Sequence, residues 1–511
     1  LASLETAARE RESSYGQILK SSALIGGSSL LNVGGGIVRS KAFALFLGPS
    51  GFGLMGLYLS IVNLAEAIAG MGVNTAGVRQ IAAAVGSGDA GRIARTARVL
   101  RRSSLALGVV GALLLLLFSR PTSKLTFGSY ERAGAVVLLS LAVLFRTVGA
   151  GQSALIQGLR RIPDLAKSNV FGGILGTVAS ILLVYLFRER GIVPSLIAIE
   201  AALLLFSWRY SRRVTLQAVT MTPSFVVNEA GALLKLGFAF MASAMLAMGA
   251  AYAVRLIVAR SISLHAAGLY QSAWTVGGLY VGFVLQAMSA DFFPRLTAAI
   301  SDHGEANRLV NEQAQVSMLL AAPGILGTLT FAPLIVPLFY SMAFQEGVEL
   351  LRWLCIGVAL RVITWPMGIV IVAHGRQSVF LAVELAYTVV FLALAWIGVD
   401  FLGLNGSGMA FFGSYVFHGL MLYPVVRWLT GFRYSAANRK LGAAFLTVIG
   451  ALFGIHYILH PWLATTIGAA ATATTSYYSL RTLVELVPPN RLPSPLLRAA
   501  QWLRILPASQ P

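Results

Sequence analysis

The chain is a succession of long apolar runs separated by short polar breaks. About 20 consecutive apolar residues, wound as a helix at roughly 1.5 Å per residue, cross a bilayer. Such segments are predicted at 20–48, 51–73, 103–119, 132–157, 166–187, 191–208, 232–260, 266–290, 313–340, 347–373, 377–399, 404–426, 441–459 and 462–480. The fold class this implies is an all-α polytopic membrane protein with about fourteen transmembrane helices. Two other stretches read as amphipathic. Residues 74–102 are expected to continue as one basic helix along the inner surface. The segment LPSPLLRAAQWLRIL at 492–506 reads as an interfacial helix or a solvated tail.

The polar breaks predict topology through their Lys and Arg content. With the N-terminus inside, the loop at 74–102 is cytoplasmic and holds Arg79, Arg92, Arg95, Arg98, Arg101 and Arg102. Further inside loops carry Arg160, Arg161 and Lys167, then Arg209, Arg212 and Arg213, then Arg427, Arg433, Arg439 and Lys440. Two outside stretches run against the rule, 119–132 and the turn with Arg188 and Arg190. The inside excess outweighs them, so both termini are expected in the cytoplasm of a bacterial inner-membrane protein.

Composition agrees. Only 11% of the 511 residues are charged, against about 25% in soluble domains. The net charge of +20 raises the question of nucleic acid, but the cations fall in alternate loops rather than one soluble patch. They read as topology and attraction to anionic membrane lipids, with no nucleic-acid partner. Cys355 is the only cysteine, which excludes an internal disulfide or a cysteine metal cluster.

The chain also repeats itself. AAAVGSGDAGRI at 82–93 matches AAISDHGEANRL at 298–309, which sets Asp89 opposite Glu305. The same offset pairs Val38-Arg39 with Val254-Arg255, Arg79 with Arg295 and Arg160 with Arg376. With the offset shortened by a single position, Gly53-Leu54 meets Gly268-Leu269, Val143 meets Val358 and Arg146 meets Arg361. Six predicted spans separate equivalent positions, and an even number keeps both copies in one orientation. This is a parallel repeat, for which the substrate site is expected between the halves near the midplane. The domains are then residues 1–19, an N-lobe at 20–214, a C-lobe at 231–430, two additional helices at 441–480 and a tail at 481–511.

Ionisable groups at membrane depth cost several kcal/mol, by order of magnitude, and mark function by default. Arg146 and Arg361 stand near the middle of their spans; Arg39 and Arg255 lie nearer the outer side, and Lys41 follows Arg39 on another helix face. Together they predict a cationic cavity suited to a pyrophosphate, which guanidinium groups grip in bidentate fashion. The alternative is that each arginine caps carbonyls or snorkels to an interface. Glu66 and Glu384 sit in apolar runs, Glu200 nearly as deep. They are either proton carriers or ion-pair partners of the arginines, Glu66 being the better carrier because Asn63 lies one turn away. Gly34, Gly35 and Gly36 interrupt span 1 just before Arg39, either to let it bend as a gate or to let helices pack closely.

His456 and His460 have metal-ligand spacing but no third ligand nearby, so no metal is expected. No P-loop, nucleophile elbow or dinucleotide fingerprint occurs, so no cofactor is called for.

Residues 18–82, from ILKSSALIGG to NTAGVRQIA, resemble the start of an O-antigen flippase. That family is the polysaccharide transporter branch of the multidrug/oligosaccharidyl-lipid/polysaccharide exporter superfamily. LIQGLRRIPDLAKSNVFGGILG at 155–176 and IVAHGRQSVFLAVEL at 371–385 resemble it too. The resemblance implies two six-helix lobes in a V around a central cavity. It also implies an undecaprenyl-pyrophosphate-linked oligosaccharide as substrate, moved by alternating access and an ion gradient. Members of this branch end after helix 12. The two extra helices resemble those of lipid II flippases, which makes lipid II the alternative cargo. They either close a groove for the lipid tail or dock a partner such as a polysaccharide polymerase. A polyprenyl-dependent glycosyltransferase or polymerase is disfavoured, because the outer loops are too short for a catalytic domain; the protein is expected not to be an enzyme.

Overall fold

A computed structural model describes residues 2–215, 217 and 223–486, with backbone alone at 2–30, 223–228 and a few other helical positions. The predicted interfacial segment 492–506 lies outside the described residues. Among those described, the regular elements are all helical. The chain divides into two compact units, Leu1–Leu256 and Ile257–Pro511.

The first unit holds α1 (Ala2–Ala69), α2 (Val73–Gly86), α3 (Ala90–Leu117), α4 (Ser119–Phe127), α5 (Ala133–Gly158), α6 (Ile162–Phe187) and α7 (Ile192–Ser211), with most of α8 (Pro223–Ser261). Predicted spans 1 and 2 form α1 and are separated by a break at Gly48 (φ 63°, ψ −176°). That conformation is open to glycine, and Pro49 then starts the second half with its φ already helical. Against expectation, α1 passes through Gly34–Gly36 with helical dihedrals. Three helical glycines weaken a helix without breaking it, whereas Gly-Pro removes a donor and turns the chain.

The basic helix expected over 74–102 is also corrected. It is two helices, because Gly88 turns left-handed (φ 68°) and the Asp89 side chain accepts from the Gly91 N–H at 2.8 Å, capping a new helix. In the two stretches expected outside against the charge rule, Arg132 Nη1 meets Glu189 Oε1 at 3.0 Å, pairing one with the other. The core of this unit gathers Leu54, Ile61, Leu139, Val143 and Ile192, with a second cluster around Ile81, Leu100, Leu155 and Leu233.

The second unit holds α9 (Leu264–Ala299), α10 (His303–Thr330), α11 (Ala332–Phe339), α12 (Val348–Ala373), α13 (Gln377–Thr430), α14 (Ala436–Ile458) and α15 (Pro461–Leu486). Leu296, Val310, Ile371, Leu422 and Phe432 anchor one of its cores. The repeat is visible element by element. α3 ends on Phe118 (φ −91°, ψ 13°) and α10 on Phe331 (φ −92°, ψ 13°). Each is followed by a short helix, and each begins with an Asp capping the glycine two residues on, Asp89 to Gly91 and Asp302 to Gly304. The structural register here therefore sets Asp89 opposite Asp302 rather than Glu305.

From α5 and α12 onward the register is two positions longer, and it sets Arg146 opposite Arg361. Arg161 (φ −81°, ψ 60°) precedes α6 as Arg376 (φ −83°, ψ 64°) precedes α13. Arg376 thus matches Arg161 rather than Arg160. The break at Arg188 (φ 50°) between α6 and α7 recurs at Gly403 (φ 60°) inside α13.

Among the described residues, eight helical segments are long and apolar enough to cross a membrane, or nine if α10 and α11, bent by 83°, count as one span. Three of the eight contain two predicted spans each, joined across the breaks at Gly48, at 188–191 and at Gly403. Predicted spans 8 and 14 lie on α9 and α15, which fall outside that set. The chain is a multi-pass membrane protein.

Candidate functional site

In the first unit the second half of α1 offers Ser60, Asn63 and Glu66 on successive turns. Arg146 is the fourteenth of the 26 residues of α5, and Glu200 lies within α7. Packing brings these helices together, and Arg146 takes partners from both sides. Its Nη1 donates to Asn63 Oδ1 at 2.7 Å and lies 3.7 Å from Glu200 Oε1. Its Nε stands 4.0 Å from Glu66 Oε2. Glu200 has the least exposed side chain of the three, at 13% against 33% for Arg146 and 28% for Glu66. Arg39, half-buried on the first half of α1, is within electrostatic reach of Glu200.

Two guanidinium groups and two carboxylates thus share one polar site inside an apolar unit. Their charges offset one another, which is the condition under which such groups stay ionised away from water. A carboxylate pair around one arginine also has the chemistry to take up and release a single cation or proton as the arginine shifts.

Arg255, on α8, extends the site. Its Nη1 donates to Ser60 Oγ at 3.2 Å and to the Ala251 carbonyl at 3.1 Å. Ser60 is one turn before Asn63, so Arg255 and Arg146 address neighbouring turns of α1. Lys41 is partly buried two residues beyond Arg39. A Cβ at Gly34 or Gly36 would meet nothing within 4 Å, and one at Gly35 would make ordinary contact with Thr177 Oγ1 at 3.5 Å. The triplet is not a tight packing seam.

In the second unit Arg361 is the fourteenth of the 26 residues of α12. It lines a cavity of about 350 Å³ with Trp274, Gly277, Gly278, Val358 and Phe411 among its walls. Glu384, on α13, acts on Arg361 electrostatically. Among the described residues the Arg361 guanidinium forms no hydrogen bond or ion pair. Aromatic rings crowd this side: Trp274 stacks on Tyr270 at 5.8 Å and meets Phe411 edge-on at 5.2 Å.

The structure therefore brings Arg39, Asn63, Glu66, Arg146 and Arg255 into one unit with Ser60 and Glu200, and places Arg361 with Glu384 in the other. Glu200 carries more of the site than its sequence context conveys. It stands in SLIAIEAALLLF with no polar neighbour, and its partners come from other helices. Its signal was its being the lone carboxylate of an apolar run. His456 is occupied within its own helix, with Nδ1 2.7 Å from the Leu452 carbonyl oxygen.

Stacked apolar helices with charges held at mid-helix define a multi-pass membrane protein, and solved structures of such proteins share its fold. One described as "Lipid II flippase MurJ, inward closed conformation" aligns with a TM-score of 0.66 at 14% identity, covering 91% of this chain and 100% of that one. An inward-facing multidrug resistance MATE family transporter of the MOP superfamily aligns at 0.61 and 17% identity, covering 79% and 95%. These likenesses establish a shared fold. The chain belongs to the polysaccharide biosynthesis protein family, whose pattern spans residues 42–349, more than half its length. The lipid III flippase of Escherichia coli (strain K12) is 22% identical over 409 residues, 78% of this chain and 95% of that protein.

Proposed function

We propose that this protein is a flippase that carries an undecaprenyl-pyrophosphate-linked oligosaccharide, an O-antigen-like repeat unit, from the cytoplasmic to the periplasmic leaflet. It works by alternating access coupled to an ion gradient. The observation that carries the reading is a mid-helix arginine, Arg361, that repeats the position of Arg146 without that residue's ion pairs, in a chain of the polysaccharide biosynthesis family. An arginine at that depth is expensive unless it has an anion to meet. A pyrophosphate offers two charges and several acceptor oxygens, which guanidinium groups bind better than ammonium. The lipid III flippase relative supports a lipid-linked cargo.

In this reading Arg39, Lys41, Arg255 and Arg361 attract the headgroup, and the site of Arg146 with Asn63, Glu66 and Glu200 takes up the coupling ion. Glu384 balances Arg361, Gly34–Gly36 let the first half of α1 flex, and the polyprenyl tail stays in lipid. The basic cytoplasmic loops hold the protein to anionic lipids, both termini face the cytoplasm, and a polysaccharide polymerase is the natural recipient of the product. The test is complementation in cells lacking the native protein. Arg361→Ala and Arg146→Ala should each cut surface polysaccharide at least about tenfold at unchanged protein level, with Lys sparing part of the loss. Unchanged polymer in both would overturn the reading.

One observation favours lipid II as cargo instead. The lipid II flippase match extends over 91% of the chain, whereas the MATE transporter match covers 79%. Rescue of cells depleted of their lipid II flippase would decide for it; failure to rescue, with polysaccharide restored in the first assay, would decide against.

A further inference from the structure

The two copies of the mid-helix arginine have diverged, and the divergence has made a cavity in one of them. The register that sets Arg146 of α5 opposite Arg361 of α12 also relates the second half of α1 to α9. Leu54, Leu57, Tyr58 and Ile61 are buried, and so are their counterparts Leu269, Ser272, Ala273 and Val276. It relates α7 to the second half of α13 as well: residues 191–196 and 406–411 have the same sequence of buried and half-buried positions.

Through this register the three partners of Arg146 map onto residues of which none carries an amide or a carboxylate for Arg361. Asn63 becomes Gly278, Glu66 becomes Val281 and Glu200 becomes Tyr415. An amide and two carboxylates are replaced by a hydrogen, an isopropyl group and a phenol. Val62, beside Asn63, becomes Gly277. A Cβ at Gly278 would meet no atom within 4 Å. The cavity of about 350 Å³ beside Arg361 is thus the room that the first unit fills with its own side chains. Leu59 of the first unit becomes Trp274 and Leu196 becomes Phe411, so the same walls have turned aromatic.

We infer that this cavity of the second unit is the subsite for the pyrophosphate and first sugar of the cargo, and that the matching place in the first unit, already neutralised, does not bind the headgroup. The inference rests on the flippase reading and assigns unequal roles to its two halves. Arg361 keeps its planar set of donors uncommitted among the described residues, since Glu384 acts on it only through space. Those donors suit the oxygens of a pyrophosphate. The C–H face of a pyranose is apolar and weakly positive, and it stacks on the electron-rich face of an indole. Trp274 is held by Tyr270 and Phe411, so little rotamer freedom is lost on binding. An anionic phospholipid headgroup would use the arginine but not the aromatic wall. A glycosyl pyrophosphate uses both, and the volume lies in the range of small-molecule sites, roughly 300–1,000 Å³.

The experiment uses the full chain in nanodiscs and measures binding of farnesyl-pyrophosphoryl-N-acetylglucosamine, farnesyl pyrophosphate, inorganic pyrophosphate and phosphatidylglycerol. The sugar-bearing lipid should bind tightest. Arg361→Gln should weaken both farnesyl probes about tenfold or more, with Arg361→Lys between. Gly278→Asn, which enters open space and restores the partner found in the first unit, should weaken them to the same degree. Trp274→Ala should weaken the sugar-bearing probe about tenfold and farnesyl pyrophosphate by less than about twofold, with Trp274→Phe recovering most of the loss. Arg146→Gln should weaken binding less than Arg361→Gln does. Each variant must elute as one species and melt near the parent.

Parental affinity in both Gly278→Asn and Arg361→Gln would overturn the inference and leave the flippase reading standing. A larger loss in Arg146→Gln would also overturn it. Phosphatidylglycerol competing as well as the sugar-bearing probe would turn the cavity into a phospholipid site. No binding of any farnesyl probe by the parent would overturn both readings.

Discussion

Arg146 and Arg361 occupy the same place in the same helix of two copies, and their surroundings differ completely. One is enclosed by Asn63, Glu66 and Glu200; the other borders a cavity with aromatic walls. At this scale the identity of a residue matters less than what packing sets against it. Glu200 illustrates the point. It is the less exposed of the two carboxylates and the nearer to Arg146, so Glu200→Gln should lower transport and thermal stability more than Glu66→Gln. Neutralising Glu200 takes from Arg146 the nearer of its two carboxylate partners, at a cost of about 1–3 kcal/mol for these partly exposed groups. Flipping rate and melting temperature in proteoliposomes measure both effects. A greater effect from Glu66→Gln would transfer the role of principal partner to that residue.

Among the elements, the glycines separate into two kinds. Gly237 in α8 and Gly72 in the turn before α2 allow backbone to touch backbone: a Cβ on Gly237 would lie 2.0 Å from the Met71 carbonyl oxygen, and one on Gly72 would lie 2.4 Å from that of Gly237. Neither backbone can step aside cheaply, so Gly237→Ala should destabilise the protein by about 1–3 kcal/mol, seen as a lower melting temperature in detergent. Gly34 and Gly36 face open space inside an unbroken helix. Alanine there should stabilise α1 by about 0.5–1 kcal/mol per site while slowing transport, because the first half of α1 would flex less. A faster or unchanged transport rate in Gly34→Ala/Gly36→Ala would remove these glycines from the gating scheme. The breaks that organise the helices, at Gly48, Gly88 and Gly403, are elsewhere. Gly48 was legible through the proline that follows it, whereas Gly88 lay inside the stretch read as one helix and is marked only by the aspartate after it. Gly403 falls in the gap between the predicted spans 377–399 and 404–426, so that break was legible too, although nothing in FLGLNG signals that the helix resumes after one residue of positive φ.

For the molecule as a whole, the distribution of Lys and Arg predicts orientation, and the single cysteine makes that easy to test. Cys355 is buried and should give little background to a thiol reagent. Single cysteines at Ser87, in the turn between α2 and α3, and at Ala437, in the exposed first turn of α14, should react only with membrane-permeant maleimides in intact spheroplasts, whereas one at Ser129 should react with an impermeant one. The opposite pattern would invert the topology.

The sequence by itself determined the fold class, the placement of the helical segments and the duplication, because each depends on local composition or on residue order. An apolar run of about 20 residues is a membrane helix whatever surrounds it, and a repeated motif is visible without coordinates. It also marked the buried arginines, since a charge in an apolar run is conspicuous in one dimension. Only the tertiary structure decided which charges meet, that the register of the repeat lengthens by two positions between α3 and α5, and that a cavity lies beside one arginine and not the other. Those are distances between helices remote in the chain, set by side-chain packing across several elements at once, and no window along the sequence contains them.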